Sequence, residues 1–364
     1  MQVGGTELNA LRTVEQLDRS RFDVTIISLQ PDGPLAERYR VGGIRVVPFR
    51  LTSLYAFGSV QQGWRLAAWL RRERIDILHC HDLYSNIFGA PCGRAARLRA
   101  VITSRRWLHP ARNRQLEIAN RAAYRLGHWV LVNSAAVAAA VTSTDRVAAE
   151  RVLIVPNFVD ASAFDDVAEA TKAQLWAEIG IPTGAEVVGC IARLAPVKDH
   201  ATLITAIRIL AERRPRLHLV LVGDGESRAA LERLAEESGI GARVHFAGYR
   251  PQRPNLNRLF DISTLASVSE GFPNSIVEAM AAARPVVATR VGGNCDAVRS
   301  HTGVLVGVGD AAGFADAFDR LLAARTLMDR MGSAAQEVAA AEYHAAAVIP
   351  HLEAIYTRLA GVQA

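Results

Sequence analysis

Short runs of β-branched and apolar residues alternate with longer amphipathic stretches along the whole chain. In the first half the runs are DVTIISL, GIRVVPF, DILHCH, AVITS, WVLVNS and VLIVP. In the second half they are EVVGCIARL, LHLVLVGDG, RVHFAGY, DISTLAS, RPVVATR and GVLVG. Several are apolar without alternation, the pattern of strands buried on both faces of a parallel sheet. Between them, stretches such as GGTELNALRTVEQLDR set Leu8, Leu11, Val14 and Leu17 along one side of a helix. Strand alternating with helix through both halves predicts an α/β protein of two Rossmann-like, doubly wound domains. The polar, acidic stretch PNFVDASAFDDVAEATKAQLWAEIGIP marks the join. We expect a first domain over 1–165, a second over 166–345, and a closing helix over 346–364 that packs back on the first. Open α/β sheets bind ligands beyond the carboxyl ends of their strands, so the expected site is a cleft where both sets of ends point.

Composition narrows the class. With 364 residues, half of them hydrophobic, the chain is long enough for two cores. No stretch approaches the roughly 18–20 uninterrupted apolar residues of a membrane span. The start MQVGGTELNA lacks the basic-then-apolar order of a secretory signal. Cys80, Cys92, Cys190 and Cys295 are spaced unlike metal ligands, as suits a reducing cytoplasm.

Charge changes the picture more. Residues 1–170 hold 22 arginines against 16 acids, whereas the remainder is balanced, with 20 basic residues against 20 acids. Residues 94–125 alone carry nine arginines and a single acid, Glu117. Nothing resembles a recognition helix or a base-stacking sheet, so nucleic acid is not an expected partner. An anionic membrane surface is a candidate. The segment QQGWRLAAWLRRER mixes Trp64, Leu66, Ala67, Trp69 and Leu70 with Arg65, Arg71, Arg72 and Arg74, a composition suited to a headgroup boundary. The same residues also suit a core helix with a solvated basic face.

The candidate chemistry lies mainly in the second half. In SEGFPNSIVEAMA, Glu270 and Glu278 flank a Gly-Phe-Pro-Asn turn that opens a helix. Ser275 and Glu278 have capping-box spacing, which is one reading. It leaves Glu270 unexplained. In the other reading the helix start holds a phosphate through its amides, Glu270 holds sugar hydroxyls and Glu278 ribose hydroxyls. ARLAPVKDH puts Arg193 and Lys198 at a strand end, either as solvated charges or as a pair that neutralises a diphosphate. VGDGESR, with Gly223 and Gly225, and VGGNCDAV are tight strand-to-helix turns that are weak signals alone. In the first half VGGTELNA puts Gly4 and Gly5 before a helix that Thr6 would cap. LHCHD sends His79 and His81 to one side of a strand end, where a metal would lack a third ligand. No Asp-x-Asp occurs, so no metal-bridged diphosphate and no cofactor are expected.

Together these motifs resemble glycosyltransferase family four, retaining two-domain enzymes of the GT-B fold. The resemblance runs through GGTE (4–7), DILHCHD (76–82), VNSAAV (132–137), VPNFVD (155–160), ARLAPVKD (192–199), LVGDGESR (221–228), VHFAGY (244–249), EGFPNSIVEAMA (270–281), VGG (291–293) and GVLVGVGD (303–310). It implies a nucleotide-diphosphate sugar as donor and a hydroxyl acceptor, lipid-linked or polysaccharide, in cell-envelope or exopolysaccharide biosynthesis. It implies that Glu270 and the backbone of Gly271, Phe272, Pro273 and Asn274 hold the donor sugar. Glu278 would bind ribose, and Arg193 and Lys198 the departing diphosphate. Gly223 would line the donor site, Gly5 would approach the diphosphate, and His81 would contact the transferred sugar. The implied mechanism is front-face attack without an enzymic nucleophile. The expected location is the cytoplasm, at the inner face of the plasma membrane. Two departures stand out. The family's first strand precedes the Gly-Gly loop, but here that loop comes at residue 4, so the strand lies upstream or is missing. Phe158 stands where the family has Gly, so a local difference in that turn is expected. Other readings are an epimerase or phosphorylase of the same fold, or a non-catalytic nucleotide-sugar-binding subunit.

Overall fold

The computed structural model describes residues 5–54, 57–108, 113–250 and 255–361. All twelve strands expected from the apolar runs are present, and the chain divides into two compact α/β units. One unit comprises Met1–Asn157 with Ala346–Ala364, and the other Phe158–Ala345.

The first unit holds two separate parallel sheets. Strands β1 (Thr25–Ser28) and β2 (Arg45–Pro48) form a pair. Strands β3 (Ile77–His79), β4 (Ala100–Arg105), β5 (Trp129–Val132) and β6 (Val152–Ile154) lie side by side in that order. The apolar side of helix Gly5–Gln16 is used as its spacing predicts: Leu11 and Val14 are buried with Leu35, Tyr39 and Ile44. Thr6 is the second residue of that helix and not its cap, because the helix already begins at Gly5. Gly4 lies outside the described residues.

Helix Phe57–Arg72 shows where the Trp-Arg segment goes. Leu66, Ala67, Trp69 and Leu70 are buried with Phe49, Phe88 and Val101, while Trp64 remains 67% exposed. The apolar face offered to a headgroup boundary is thus mostly core. Helix Ala345–Ala360 closes the unit: Glu353 accepts the Asp18 amide at 2.8 Å, and Tyr356 bonds His79. No described helix is long and apolar enough to cross a membrane.

The second unit is a single six-stranded parallel sheet. In chain order its strands are β7 (Glu186–Ile191), β8 (Leu217–Val222), β9 (Val244–Gly248), β10 (Ile262–Leu265), β11 (Val286–Thr289) and β12 (Gly303–Val306). Their order across the sheet is β12-β11-β10-β7-β8-β9. The apolar strands are buried by helices such as His200–Leu210 and Ala311–Ala323, as a parallel sheet requires. The chain first builds outward from β7 in one direction and then from β10 in the other. Neighbours β7 and β10 therefore flank the point where the strand order reverses, the place where doubly wound sheets hold ligands. Phe158, at the start of this unit, is buried and is not among the described residues with positive φ.

Candidate functional site

The loop after β7 carries Arg193 and Lys198, and the loop after β10 carries Glu270. A one-turn helix at Pro196–Lys198 ends in Asp199, whose left-handed backbone (φ 45°) starts helix His200–Leu210. The Asp199 carboxylate accepts from the Thr202 hydroxyl at 2.6 Å and so fixes the turn. Val268 N–H donates to the Val197 carbonyl at 2.9 Å, which ties the two loops together. Lys198 is thereby brought onto Glu270, and the two form an ion pair across the reversal point. The side chains are 23% and 11% exposed, so the pair is largely shielded from water. Ser267 Oγ donates to the same Glu270 oxygen at 2.9 Å and holds the carboxylate in place.

The glycine turns serve this arrangement. At Gly223 (φ 143°) a Cβ would lie 2.0 Å from the Ala192 carbonyl oxygen, so this residue lets the 192–194 segment pack down. Leu194 N–H donates to the Asp224 carbonyl at 3.0 Å across the same contact. At Gly293 a Cβ would lie 2.3 Å from the Gly271 carbonyl oxygen, and the Gly293 N–H donates to the Glu270 carbonyl at 3.1 Å. The turns that read as weak signals alone are packed around the Lys198–Glu270 loops.

Helix Asn274–Ala281 begins with Pro273 at its cap, where no side-chain bond is made. Ser275 is the second helical residue, so it cannot be the cap of a Ser-x-x-Glu box, and that reading of Glu278 fails. Glu278 sits in the second turn, half-buried. The Ile276 N–H donates to the Pro273 carbonyl at 3.1 Å, and the positive end of the helix dipole at this start favours an anion. Gly271 and Pro273 are buried. The Phe272 ring packs edge-on to Tyr343 at 5.5 Å, so only its backbone remains to serve a site. Arg193 is not gathered with Lys198: its side chain is 72% exposed and meets Glu226 at 3.0 Å.

Two neighbours of the pair escaped the sequence reading. Burial pushes the Cys190 thiol up to about 12, which keeps it protonated. His200 is 2% exposed, both its ring nitrogens lack partners, and burial with Lys198 nearby lowers it to about 4. Lys198 is consequently the cation of this cluster.

In the first unit, His79 and His81 do share one side of the sheet: their rings stack at 4.1 Å. His79 uses one ring nitrogen on Tyr356 Oη (2.6 Å) and the other on Ser104 Oγ (2.8 Å), leaving neither for a metal. His81 is lowered to about 3 by burial and then by Arg106, and so is neutral. Asp82 caps helix Leu83–Ala96, accepting from the Ser85 amide at 2.7 Å. Gly5 is exposed at the start of its helix. Arg106, Asn133 and Asn157 also lie at the carboxyl ends of these strands; Asn133 and Asn157 fall within VNSAAV and VPNFVD, to which no role was attached, and no motif pointed to Arg106.

Known families match both units. The profile of the family "Glycosyltransferase Family 4" matches residues 3–163, and that of "Glycosyl transferases group 1" matches residues 172–338. The chain belongs to glycosyltransferase family four. Among its relatives, the lipopolysaccharide core biosynthesis glycosyltransferase LpsE of Rhizobium meliloti is 33% identical over 173 residues. That match spans 47% of this chain and about half (50%) of LpsE. A D-inositol 3-phosphate glycosyltransferase of Corynebacterium urealyticum is 29% identical, over 88% of this chain and 82% of that protein. Among solved structures, Anabaena HepE in complex with UDP superposes with a TM-score of 0.85. It is 23% identical and matched over 98% of this chain and 96% of its own, a likeness of fold. The fold class is GT-B.

Proposed function

We propose that this glycosyltransferase moves a sugar from a nucleoside-diphosphate sugar, held on the second unit, to a hydroxyl acceptor with retention of anomeric configuration. The observation that carries the reading is the Lys198–Glu270 pair at the reversal point of a doubly wound sheet, beside the start of helix Asn274–Ala281. Lys198 supplies the charge that meets the diphosphate and stabilises it as it leaves. Glu270, pinned through one oxygen, orients the sugar hydroxyls. Glu278 accepts from the ribose hydroxyls, and Arg193 swings from Glu226 onto the diphosphate. The bond from the anomeric carbon to the phosphate oxygen breaks as the acceptor oxygen bonds to the same face. The departing phosphate oxygen takes the acceptor's proton, so neither glutamate is a nucleophile. HepE in complex with UDP lends support for the nucleotide. The names of LpsE and the inositol-phosphate enzyme lend support for an acceptor in glycoconjugate or polysaccharide synthesis.

The reading includes peripheral attachment to anionic lipid, through surface arginines and not through helix Phe57–Arg72. Arg94, Arg99, Arg125 and Arg151 line one open cavity of about 430 Å³. Each arginine that reaches a membrane surface adds on the order of 1 kcal/mol. Co-sedimentation should then need anionic vesicles and fall with salt. Equal recovery in the supernatant with neutral and anionic vesicles would remove this part.

Transfer is tested by assaying donor turnover across UDP-, GDP- and ADP-sugars, with product anomers read by proton NMR. One base should support turnover with retention, and EDTA should not abolish it. Inversion, or loss in EDTA restored by manganese, would contradict the reading.

A further inference from the structure

The end of β4 carries two consecutive arginines with different fates. Arg105 is neutralised by the Asp145 carboxylate, to which Arg121 also donates at 3.0 Å. Among the described residues Arg106 has no such partner. Its Nη1 donates to Asn157 Oδ1 at 2.8 Å, and its Nε is buried with no hydrogen-bond partner. No carboxylate is among the groups that act on it, and burial lowers it to about 10.

Two more orphaned atoms lie beside it. His81 Nδ1 and Asn133 Oδ1 are buried and unpartnered. Asn133 directly follows β5, and its amide nitrogen is 3.5 Å from the Arg106 carbonyl oxygen. His81 is close enough to Arg106 for the guanidinium to act on its ring. Register places His79 opposite Ile102 and Arg105 opposite Val132, so all three orphans gather at the carboxyl end of one parallel sheet. Buried polar atoms nearly always find partners, and a buried charge without a counter-charge is costly. His81, stacked on a ring that is itself bonded at both nitrogens, is held in place while its own Nδ1 is left open. A merely structural arginine would resemble Arg105.

We propose that Arg106, His81 and Asn133 form a subsite for a hydroxylated anion, with its phosphate or carboxylate at Arg106 and its hydroxyls at Asn133 Oδ1 and His81 Nδ1. Assigning that anion to the acceptor rests on the transfer reading above. The subsite itself does not.

The test titrates inorganic phosphate into the full chain by calorimetry at fixed ionic strength, with UDP titrated into the same samples. Arg106→Gln should weaken phosphate at least about tenfold, the loss of one charged hydrogen bond. Asn133→Asp should abolish phosphate binding and raise the melting temperature, because it supplies the missing counter-charge. Arg106→Gln should not lower the melting temperature. Phosphate binding to wild type no better than to Asn133→Asp, or a lower melting temperature in Asn133→Asp, would overturn the subsite. UDP reports separately on the second unit: phosphate binding without UDP binding keeps the subsite and removes the transfer reading, and the reverse result does the opposite. In the transfer assay, phosphate should raise the acceptor KM. An unchanged acceptor KM would overturn the assignment to the acceptor.

Discussion

Lys198 and Glu270 form an ion pair between the loops that follow two adjacent parallel strands, where the strand order reverses. Each is the other's countercharge in a shielded place. Removing one should therefore cost more than removing both. Lys198→Met alone should destabilise by about 1–3 kcal/mol, below the roughly 3–5 of a fully buried pair because Lys198 keeps some water contact. Adding Glu270→Gln should return part of that loss. Chemical denaturation of the two single variants and the double variant measures the coupling. Strict additivity would mean that the pair is no more than a surface contact.

Glu278 should matter to nucleotide binding, because the capping box that offered another purpose is absent. Glu278→Ala should weaken UDP about tenfold or more, the worth of a charged hydrogen bond. Glu270→Ala should lower turnover more than it lowers UDP affinity. UDP binding by Glu278→Ala equal to wild type would refute the ribose assignment.

Arg193 meets Glu226 at the surface, and the proposed function needs it elsewhere. Exposed pairs add little, so the arginine can leave at little cost. Glu226→Gln should tighten UDP by up to about fivefold. Arg193→Ala should cut turnover by roughly ten- to a thousandfold. Weaker UDP binding in Glu226→Gln would indicate that Glu226, not Arg193, serves the ligand.

Much of this was legible in the sequence. All twelve strands followed from apolar runs, because a strand buried on both faces leaves little choice of residue. The Glu270 and Lys198 motifs were legible because turn residues and rare charges sit at fixed offsets within short loops. Their pairing was not, since it depends on β7 lying beside β10 across 72 positions of sequence. The fate of Trp69 and Leu70 was likewise open, because an amphipathic face has the same spacing whether it meets a core or a membrane. Arg106 escaped because its significance lies in what does not face it. In an arginine-rich segment it looks like its neighbour Arg105.

Buried histidines should make stability fall on mild acidification. His79 is held well below its usual range, His81 at about 3 and His200 at about 4, chiefly by burial. Unfolded histidines titrate near about 6.5. Below that pH the unfolded chain takes up protons that the folded chain does not, so protons favour unfolding. This contribution is complete above pH ~6.5 and shrinks as pH falls, by up to about 1.4 kcal/mol per unit for each histidine. Melting temperature should drop between pH 6.5 and 5, where most carboxylates are still ionised, and His200→Asn should flatten that slope. A constant melting temperature from pH 7 to 5 would contradict the neutral assignments.

The most direct test of the account is calorimetric titration of wild type, Lys198→Ala and Glu278→Ala with UDP, GDP and ADP. At least one nucleotide should bind wild type with a stoichiometry of about one, and each variant should bind it about tenfold more weakly or worse. Binding that neither variant alters, or no binding of any of the three, would contradict the donor site proposed on the second unit.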